Sequence, residues 1–532
     1  MRRISILDCT LRDGGYINDF NFGSLVIKNT INKLTKASID IIECGFLKSE
    51  ANDPDRSLFG SVEAIKKVIE KKNPNLIYVA MIQYGAISIN EISEMDGTSI
   101  DGIRLTFHEH EIEESFELGQ KLMNKGYKVF MQPVGTTTYT DSALLQLIDR
   151  VNQLRPFAFY LVDTLGLMYK NDLLRMYYLV DHNLDKKIVL GFHSHNNLQL
   201  SFANAQELMQ LNTSRRLIID TSILGMGRGA GNLNTELVTQ YINTNFELQY
   251  DNVEILEIID QYIRPIRNRF SWGYDAPYYI ASINGCHPNY ATFLIQKQTL
   301  HIQDIQAILS RLDPTRKALF DRTYIEQAYY QYQDHLINDK DALIQIHDMI
   351  GDKEVILIAP GKSLSNRGDE INRKKGEHSY LISINFIPKD IQVDAVFCSN
   401  IRRFASLEEL SKQAGTTCKV IVTSNVVQGS QKDIITVNYA SYTNEEPVIV
   451  DNAGLMCINL MKKIGVESIT LAGFDGFSED VKDNYYDPSL RVDVEAERLM
   501  RMNQATSRKL SMLSTQLKIQ YLDNTVYKRL ND

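Results

Sequence analysis

The chain is short of the features that mark whole classes of protein. Its six cysteines are Cys9, Cys44, Cys286, Cys398, Cys418 and Cys457, and no two stand in a C-x-x-C pair. All but Cys286 lie in or beside apolar segments, which points to reduced thiols in a cytoplasmic protein rather than a disulfide framework. No apolar run approaches the roughly 18 residues that a membrane helix needs, so no membrane span is expected. The opening MRRISILDCTLRDGG has a basic pair but regains charge at Asp8, unlike a secretory signal. Basic charge is also scarce: 57 Lys and Arg face 66 Asp and Glu, for a net −9. A nucleic-acid surface needs the opposite balance, so nucleic acid is not an expected partner. A local basic pocket for one phosphate group remains compatible. There is one tryptophan, Trp272, and neither an internal repeat nor a low-complexity segment. G-x-G-x-x-G and the full Walker A pattern are both missing, so neither nicotinamide nor ATP is indicated.

What is present is a soluble globular composition, 44% hydrophobic and 23% charged, over 532 residues. That length asks for two or three domains. Eight short apolar runs recur before residue 227: ISILDCTL, IDIIECGF, NLIYVAMI, GIRLTF, KVFMQPV, AFYLVDT, IVLGFHSH and LIIDTSIL. They are nearly continuously apolar and rich in β-branched residues, as in strands covered on both faces. Helix-like segments such as SLVIKNTINKLTKAS separate them. Eight alternating units predict an α/β fold, a TIM (β/α)8 barrel over 1–270, with an open doubly wound sheet as the alternative. A mostly helical stretch follows, expected over 271–348 as an extension closing the barrel mouth. GDKE at 351–354 reads as a linker. A new α/β pattern over 349–532 predicts a Rossmann-like domain.

Polar residues gather at the C-terminal ends of the eight runs, where barrel active sites form. His193 and His195 end the seventh run. Residues i and i+2 of a strand point the same way, so both imidazoles can face the mouth and hold one divalent cation. Asp13, after the first run, supplies a carboxylate. Two imidazoles and a carboxylate with open positions suit Mn²⁺ first, with Mg²⁺, Co²⁺ or Fe²⁺ as alternatives. Arg12 beside it could stabilise an oxyanion. After the eighth run, LGMGRGAGN offers Asn232, which either ligates the metal or orders a residue that does. Arg104, Gln132 and Asp163, in or at the ends of other runs, are candidate substrate-binding residues.

The segments TLRDGG, HSHNNLQLSFAN and GMGRGAGN together resemble the DRE-TIM metallolyases over about residues 1–300, and among them most the 4-hydroxy-2-oxovalerate aldolases. The Claisen-type acyl-CoA condensing synthases usually carry H-x-H-N-D and G-x-G-E-R-x-G-N, from which Asn197 and Gly229 depart. The resemblance implies that Asp13, His193 and His195 hold the metal, which chelates pyruvate or its enolate. It implies that Arg12 stabilises the enolate oxygen and that Tyr290 sits near the aldehyde. The implied substrates are pyruvate and an aldehyde, and the expected assembly is a homo-oligomer. One position departs: aldolases carry a catalytic histidine three residues after the ligand aspartate, and here it is Tyr16. An ordinary tyrosine is a poorer base than histidine near pH 7. A metal-bound water, His287 or Tyr290 then takes the proton, or the acceptor differs. A non-catalytic scaffold is the reading from another class, and the intact Asp13, His193 and His195 set speaks against it.

In the C-terminal part, EVILIAPGKSLSNRGDEI reads as strand, turn and helix, a geometry able to face backbone N–H groups to a phosphate. APGKSL and LAGFDGF resemble Rossmann-like domains of sialyltransferase-type and polysaccharide-synthesis proteins. That implies a nucleotide or sugar-phosphate ligand, with Gly361, Lys362, Ser363 and Asp475 as its candidate contacts, and a place in cell-surface sugar metabolism.

Overall fold

The computed structural model describes residues 3–529 apart from 248, 335, 377, 415–417, 427–433, 479–483 and 492–495. The chain forms two compact units. Met1–Thr292 with Asp313–Phe320 make the first, and Phe293–Leu312 with Asp321–Asp532 the second. The helical stretch expected over 271–348 is therefore divided. Ala276–Ile283 belongs to the first unit, while Ile302–Arg311, Arg322–Gln333 and Lys340–Ile350 belong to the second.

The eight apolar runs of the first unit become eight parallel strands. These are β1 (Ile4–Asp8), β2 (Ile41–Leu47), β3 (Ile77–Gln83), β4 (Gly102–Phe107), β5 (Lys128–Pro133), β6 (Ala158–Asp163), β7 (Val189–Ser194) and β8 (Leu217–Thr221). Each pairs with its neighbours in sequence, and β1 pairs with both β2 and β8, which closes the sheet into a TIM barrel. A two-residue strand, Leu58–Phe59, adds beside β2. Gly45, at φ 147°, sits where the β2–β3 register shifts; a Cβ there would lie 2.2 Å from the Ser57 carbonyl oxygen.

Alternation along each strand decides what faces the interior. Leu7, Ile41, Val79, Phe130, Tyr160, Val189 and Ile218 pack together inside the barrel. Their neighbours, among them Ile6, Ile42, Tyr78 and Ile219, pack in a second cluster with helix residues such as Ile27, Leu122 and Val180. Both faces are covered, which is why the runs read as continuously apolar.

Asp8 has the outward parity. It accepts hydrogen bonds from Thr10 N (3.0 Å) and Thr235 Oγ1 (2.6 Å). Burial pushes its carboxyl up to about 6, against those two bonds. An unfolded aspartate titrates near 3.9, so the folded chain prefers the protonated acid. That preference contributes fully below about pH 4 and is lost as pH rises through about 6. Asp8→Asn removes the ionisation, and Nδ2 can donate to Thr235. The variant is expected to gain about 1–3 kcal/mol in urea unfolding at pH 8 and little at pH 4. An equal shift at both pH values would mean that ionisation of Asp8 is not what costs stability.

The second unit is an open, all-parallel sheet of seven strands: β9 (Glu354–Ile358), β10 (Ser379–Ile384), β11 (Ala395–Cys398), β12 (Lys419–Thr423), β13 (Ile434–Val437), β14 (Ser468–Ala472) and β15 (Lys518–Tyr521). Its order is β13-β12-β11-β10-β9-β14-β15, so the winding reverses between β9 and β14. Separate apolar clusters cover its two faces. Ile346 and Ile350 are buried in one of them. GDKE is accordingly a turn into β9 within this unit rather than a linker. Among the described residues no helix is long and apolar enough to cross a membrane.

Candidate active site at the barrel mouth

Val189 points inward, so His193 shares its face, and His195 lies one step beyond the strand end. Asp13 is brought over the same opening by a tight turn after β1, in which its N–H donates to the Cys9 carbonyl (2.8 Å). His193 Nε2 stands 3.2 Å and His195 Nε2 3.9 Å from Asp13 Oδ2. The two rings are 5.3 Å apart and nearly perpendicular. His193 Nδ1 lies 3.0 Å from Asp220 Oδ2, which places a proton on Nδ1 and turns Nε2 toward Asp13.

Electrostatics prepare these groups for a cation. Burial opposes ionisation of Asp13, yet Arg12 and the two histidines hold its carboxyl well below the ordinary range. Burial pushes His195 down to about 3, leaving a neutral imidazole with a free lone pair. Burial also works against protonation of His193, but the facing carboxylates of Asp13 and Asp220 prevail and raise it. Both Asp13 oxygens and Asn232 Oδ1 are buried without a hydrogen-bond donor. Asn232 Nδ2 donates to the Met226 carbonyl (3.1 Å), so its oxygen is the end left over. Orphaned buried acceptors are costly, and a divalent ion would satisfy the two Asp13 oxygens. The donors are two imidazoles and hard oxygens, a set that fits the divalent ions Mn²⁺, Co²⁺ or Fe²⁺. Cys9 offers its sulfur within 4.8 Å of ligand atoms of Asp13 and His193. Burial keeps its thiol well above its ordinary value, and a neutral thiol is a poor ligand.

Beneath this cluster lies a buried charged layer. Glu43 Oε2 accepts from Arg12 Nε (2.9 Å) and from Arg104 Nη1 (2.7 Å). Arg104 also bonds Asp220 and lies over the Tyr160 ring at 5.0 Å. With its amide oriented to satisfy both ends, Gln132 accepts from Arg104 at 2.9 and 3.2 Å.

Above the cluster opens a cavity of about 260 Å³, walled by Arg12, Asp13, Tyr16, Gln132, His193, His195, Arg228 and His287 among others. The Arg228 guanidinium sits 4.0 Å over the Tyr16 ring at the rim. Burial first, then the charge of Arg228, pushes His287 down to about 4. Its Nδ1 accepts from Asn289 N (3.2 Å), so the neutral ring carries its proton on Nε2.

Residues 3–261 match the HMGL-like family model. This segment is an HMGL-like (DRE-TIM) domain. An oxaloacetate decarboxylase of Mycobacterium tuberculosis is 26% identical over 239 residues, 43% of this chain and 67% of that protein. A 4-hydroxy-2-oxovalerate aldolase of Bacillus cereus is 22% identical over 273 residues, 50% of this chain and 77% of that protein. The solved HMG-CoA lyase of Brucella melitensis aligns at 16% identity and a TM-score of 0.39, covering 50% of this chain and all of that one.

Several sequence expectations for the HMGL-like domain need correction. Arg104 does not wall the cavity; it is fully buried in the layer below, saturated by Glu43, Asp220 and Gln132. Asp163 has the outward parity on β6. Its oxygens accept from Leu167 N (2.9 Å) and Met168 N (3.0 Å), and burial pushes its carboxyl up to about 6. It ties down the loop after β6 and does not line the cavity. Tyr290 is also outside the cavity wall. Its hydroxyl lies against the carbonyls of Arg316 (2.8 Å) and Leu319 (2.7 Å), so it props the segment that brings Leu319 to the cavity. Asp220 and Arg228 were not singled out from the sequence as site residues. The available signal was a lone acid inside an apolar strand, as in LIIDT.

In the second unit, the turn at Gly361–Leu364 is closed by the chain's own carboxylate. Ser363 N (2.8 Å) and Oγ (2.5 Å) both donate to Asp475. Gly361 is wedged so closely that a Cβ would lie 2.6 Å from Asp475 Oδ2. Lys362 opens a five-residue 3₁₀ turn. Gly361, Ser363 and Asp475 thus hold one another, and a phosphate there would meet the Asp475 charge.

Proposed function

We propose that the barrel is a divalent-cation-dependent carbon–carbon lyase for short 2-oxo acids, acting on a 4-hydroxy-2-oxo acid to release pyruvate and an aldehyde, or joining them. The observation that carries this is the meeting of Asp13, His193 and His195, with orphaned carboxylate oxygens, beside Arg12 in a cavity sized for a short acid. Asp13, His193 and His195 would hold the ion; Asn232, whose backbone bridges to His195, is the further candidate oxygen donor. A bound ion supplies Lewis acidity to the oxygens of the 2-oxo acid. Arg12, held by Glu43 at Nε, keeps its other N–H groups for the oxygen on which negative charge grows. His287 presents Nε2–H toward the acceptor side, where it can donate to a carbonyl or hydroxyl oxygen. The wall formed by Tyr16, Arg228 and Leu319 shapes the space for the aldehyde. The relatives named 4-hydroxy-2-oxovalerate aldolase support this reading. A role in cell-surface sugar metabolism rests on the resemblance of the tail alone.

A second reading, decarboxylation of a 2-oxo diacid, has one specific observation behind it. Tyr16 stands where aldolases carry histidine, and loss of CO₂ requires no base to take a hydroxyl proton. The relative named oxaloacetate decarboxylase agrees with it. The full chain with Mn²⁺ should be given 4-hydroxy-2-oxopentanoate and oxaloacetate in parallel, with protein-free Mn²⁺ as control and products followed by NMR. Pyruvate and acetaldehyde from the first, abolished by EDTA, is the expected result. Turnover of oxaloacetate alone would establish the second reading. No EDTA-sensitive turnover of either substrate would sink both.

A further inference from the structure

The second unit carries a cationic basin that the lyase reading does not use. It is a cavity of about 330 Å³. Among the described residues that line it, Lys297, Arg402, Arg403, Arg491 and Arg498 are cations and Asp451 is the one acid. In a chain of net charge −9 this is a concentration against the trend. Like charges so gathered repel one another unless an anion joins them.

The cations are built in. Lys297 has a side chain only 7% exposed, and its nearest carboxylate, Glu326, is at 4.0 Å, beyond hydrogen-bond reach. Its ammonium lies 4.7, 5.3 and 5.4 Å from the rings of Tyr329, Tyr330 and Phe293. Arg498 Nη1 donates to the Gln296 carbonyl (2.9 Å) and Arg403 Nη2 to the Leu490 carbonyl (2.5 Å). These neutral anchors fix the guanidinium groups without cancelling their charge. The lone acid, Asp451, already accepts from the Tyr329 hydroxyl (2.6 Å).

Helix ends add to the field. Asn400 caps the helix Ile401–Ala414, accepting from Arg402 N and Arg403 N, and Asn452 caps Ala453–Lys463. Both caps line the basin, so two positive helix termini are directed at it. Asn400, Arg403 and Asn452 also line an adjoining cleft of about 220 Å³. That cleft opens between the ends of β9 and β14, where the winding reverses and open α/β sheets bind ligands. Its wall includes Phe386, Phe474, Phe477, Tyr485 and Tyr527.

We propose that this unit binds a nucleoside diphosphate, its diphosphate in the basin of Lys297, Arg402, Arg403 and Arg498 and its flat body in the aromatic cleft. A single carboxylate or phosphate would offset only part of the charge of Lys297, Arg402, Arg403 and Arg498. A basin of this volume takes a small anion rather than a polymer. The aromatic cleft alongside it calls for an organic body, and guanidinium forks match phosphate oxygens. The diphosphate basin does not include the Gly361–Ser363 turn, where Asp475 occupies the donors; Gly361 and Asp475 instead line the aromatic cleft.

The test is calorimetric titration of the full chain with UDP, CDP, ADP and GDP, alongside the parent nucleosides and inorganic pyrophosphate. At least one diphosphate is expected to bind at least tenfold more tightly than its nucleoside. Lys297→Met and Arg498→Ala should each weaken it about tenfold or more. Arg402→Ala, at an exposed position, should weaken it without any risk to folding, checked by circular dichroism. Silence from all four nucleoside diphosphates on folded protein would overturn the proposal. So would pyrophosphate binding alone, or affinities indifferent to Lys297→Met and Arg402→Ala.

Discussion

Arg12→Ala is expected to slow solvent exchange at the methyl of pyruvate about 10²–10³-fold while leaving the fold and cation uptake in place. The expectation follows from how the side chain is held. Nε is committed to Glu43 (2.9 Å), and Nη1 reaches Asp13 only at 3.4 Å, so the outer N–H groups are the ones left for a ligand. Glu43 keeps a partner in the variant, because Arg104 also donates to Oε2. The buried layer is therefore not stripped of its positive charge. Exchange of the methyl protons requires the enolate but no aldehyde, so it isolates the role of Arg12 from the question of the second substrate. Arg12→Lys should recover only part of the rate, since one ammonium cannot both grip Glu43 and reach the oxyanion. Exchange at the wild-type rate in Arg12→Ala would remove Arg12 from the chemistry.

The barrel was legible because its eight strands are buried on both faces, which writes eight apolar runs into the sequence. Parity was harder. His193 and His195 could be paired because they are two apart, whichever face they take. Asp163 was misplaced because a continuously apolar run such as AFYLVDT gives no sign of which alternate set points inward. The packing shows Tyr160 inside, which turns Asp163 outward. Arg104 stands three residues before the end of its run, which puts it in the layer below the mouth. The boundary drawn near 348 failed for a related reason. Lys340–Ile350 looks like the end of a helical stretch, but Ile346 and Ile350 fill the core of the second unit, far ahead in sequence. The phosphate reading of APGKSL rested on a local shape, and its donors are spent on Asp475, 112 residues away from Ser363.

Asp220→Asn carries the largest expected loss of stability, and it tests how the charged layer serves the mouth. One oxygen of Asp220 accepts from both Arg104 and His193 Nδ1. Burial opposes its ionisation, but Arg104 and His193 hold its carboxyl below the ordinary range. Removing the charge leaves a fully buried guanidinium with Glu43 as its only carboxylate. Breaking one side of a buried pair typically costs about 3–5 kcal/mol, and Gln132 compensates only as a neutral acceptor. The same change weakens the partner that sets the His193 tautomer, and loss of such a partner commonly costs about 10–100-fold in metal affinity. Urea unfolding without added metal reads the first effect, and Mn²⁺ titration followed by electron paramagnetic resonance reads the second. Both are expected to move. If stability falls while Mn²⁺ affinity stays put, Asp220 serves Arg104 alone, and His193 must be oriented by the strand that carries it.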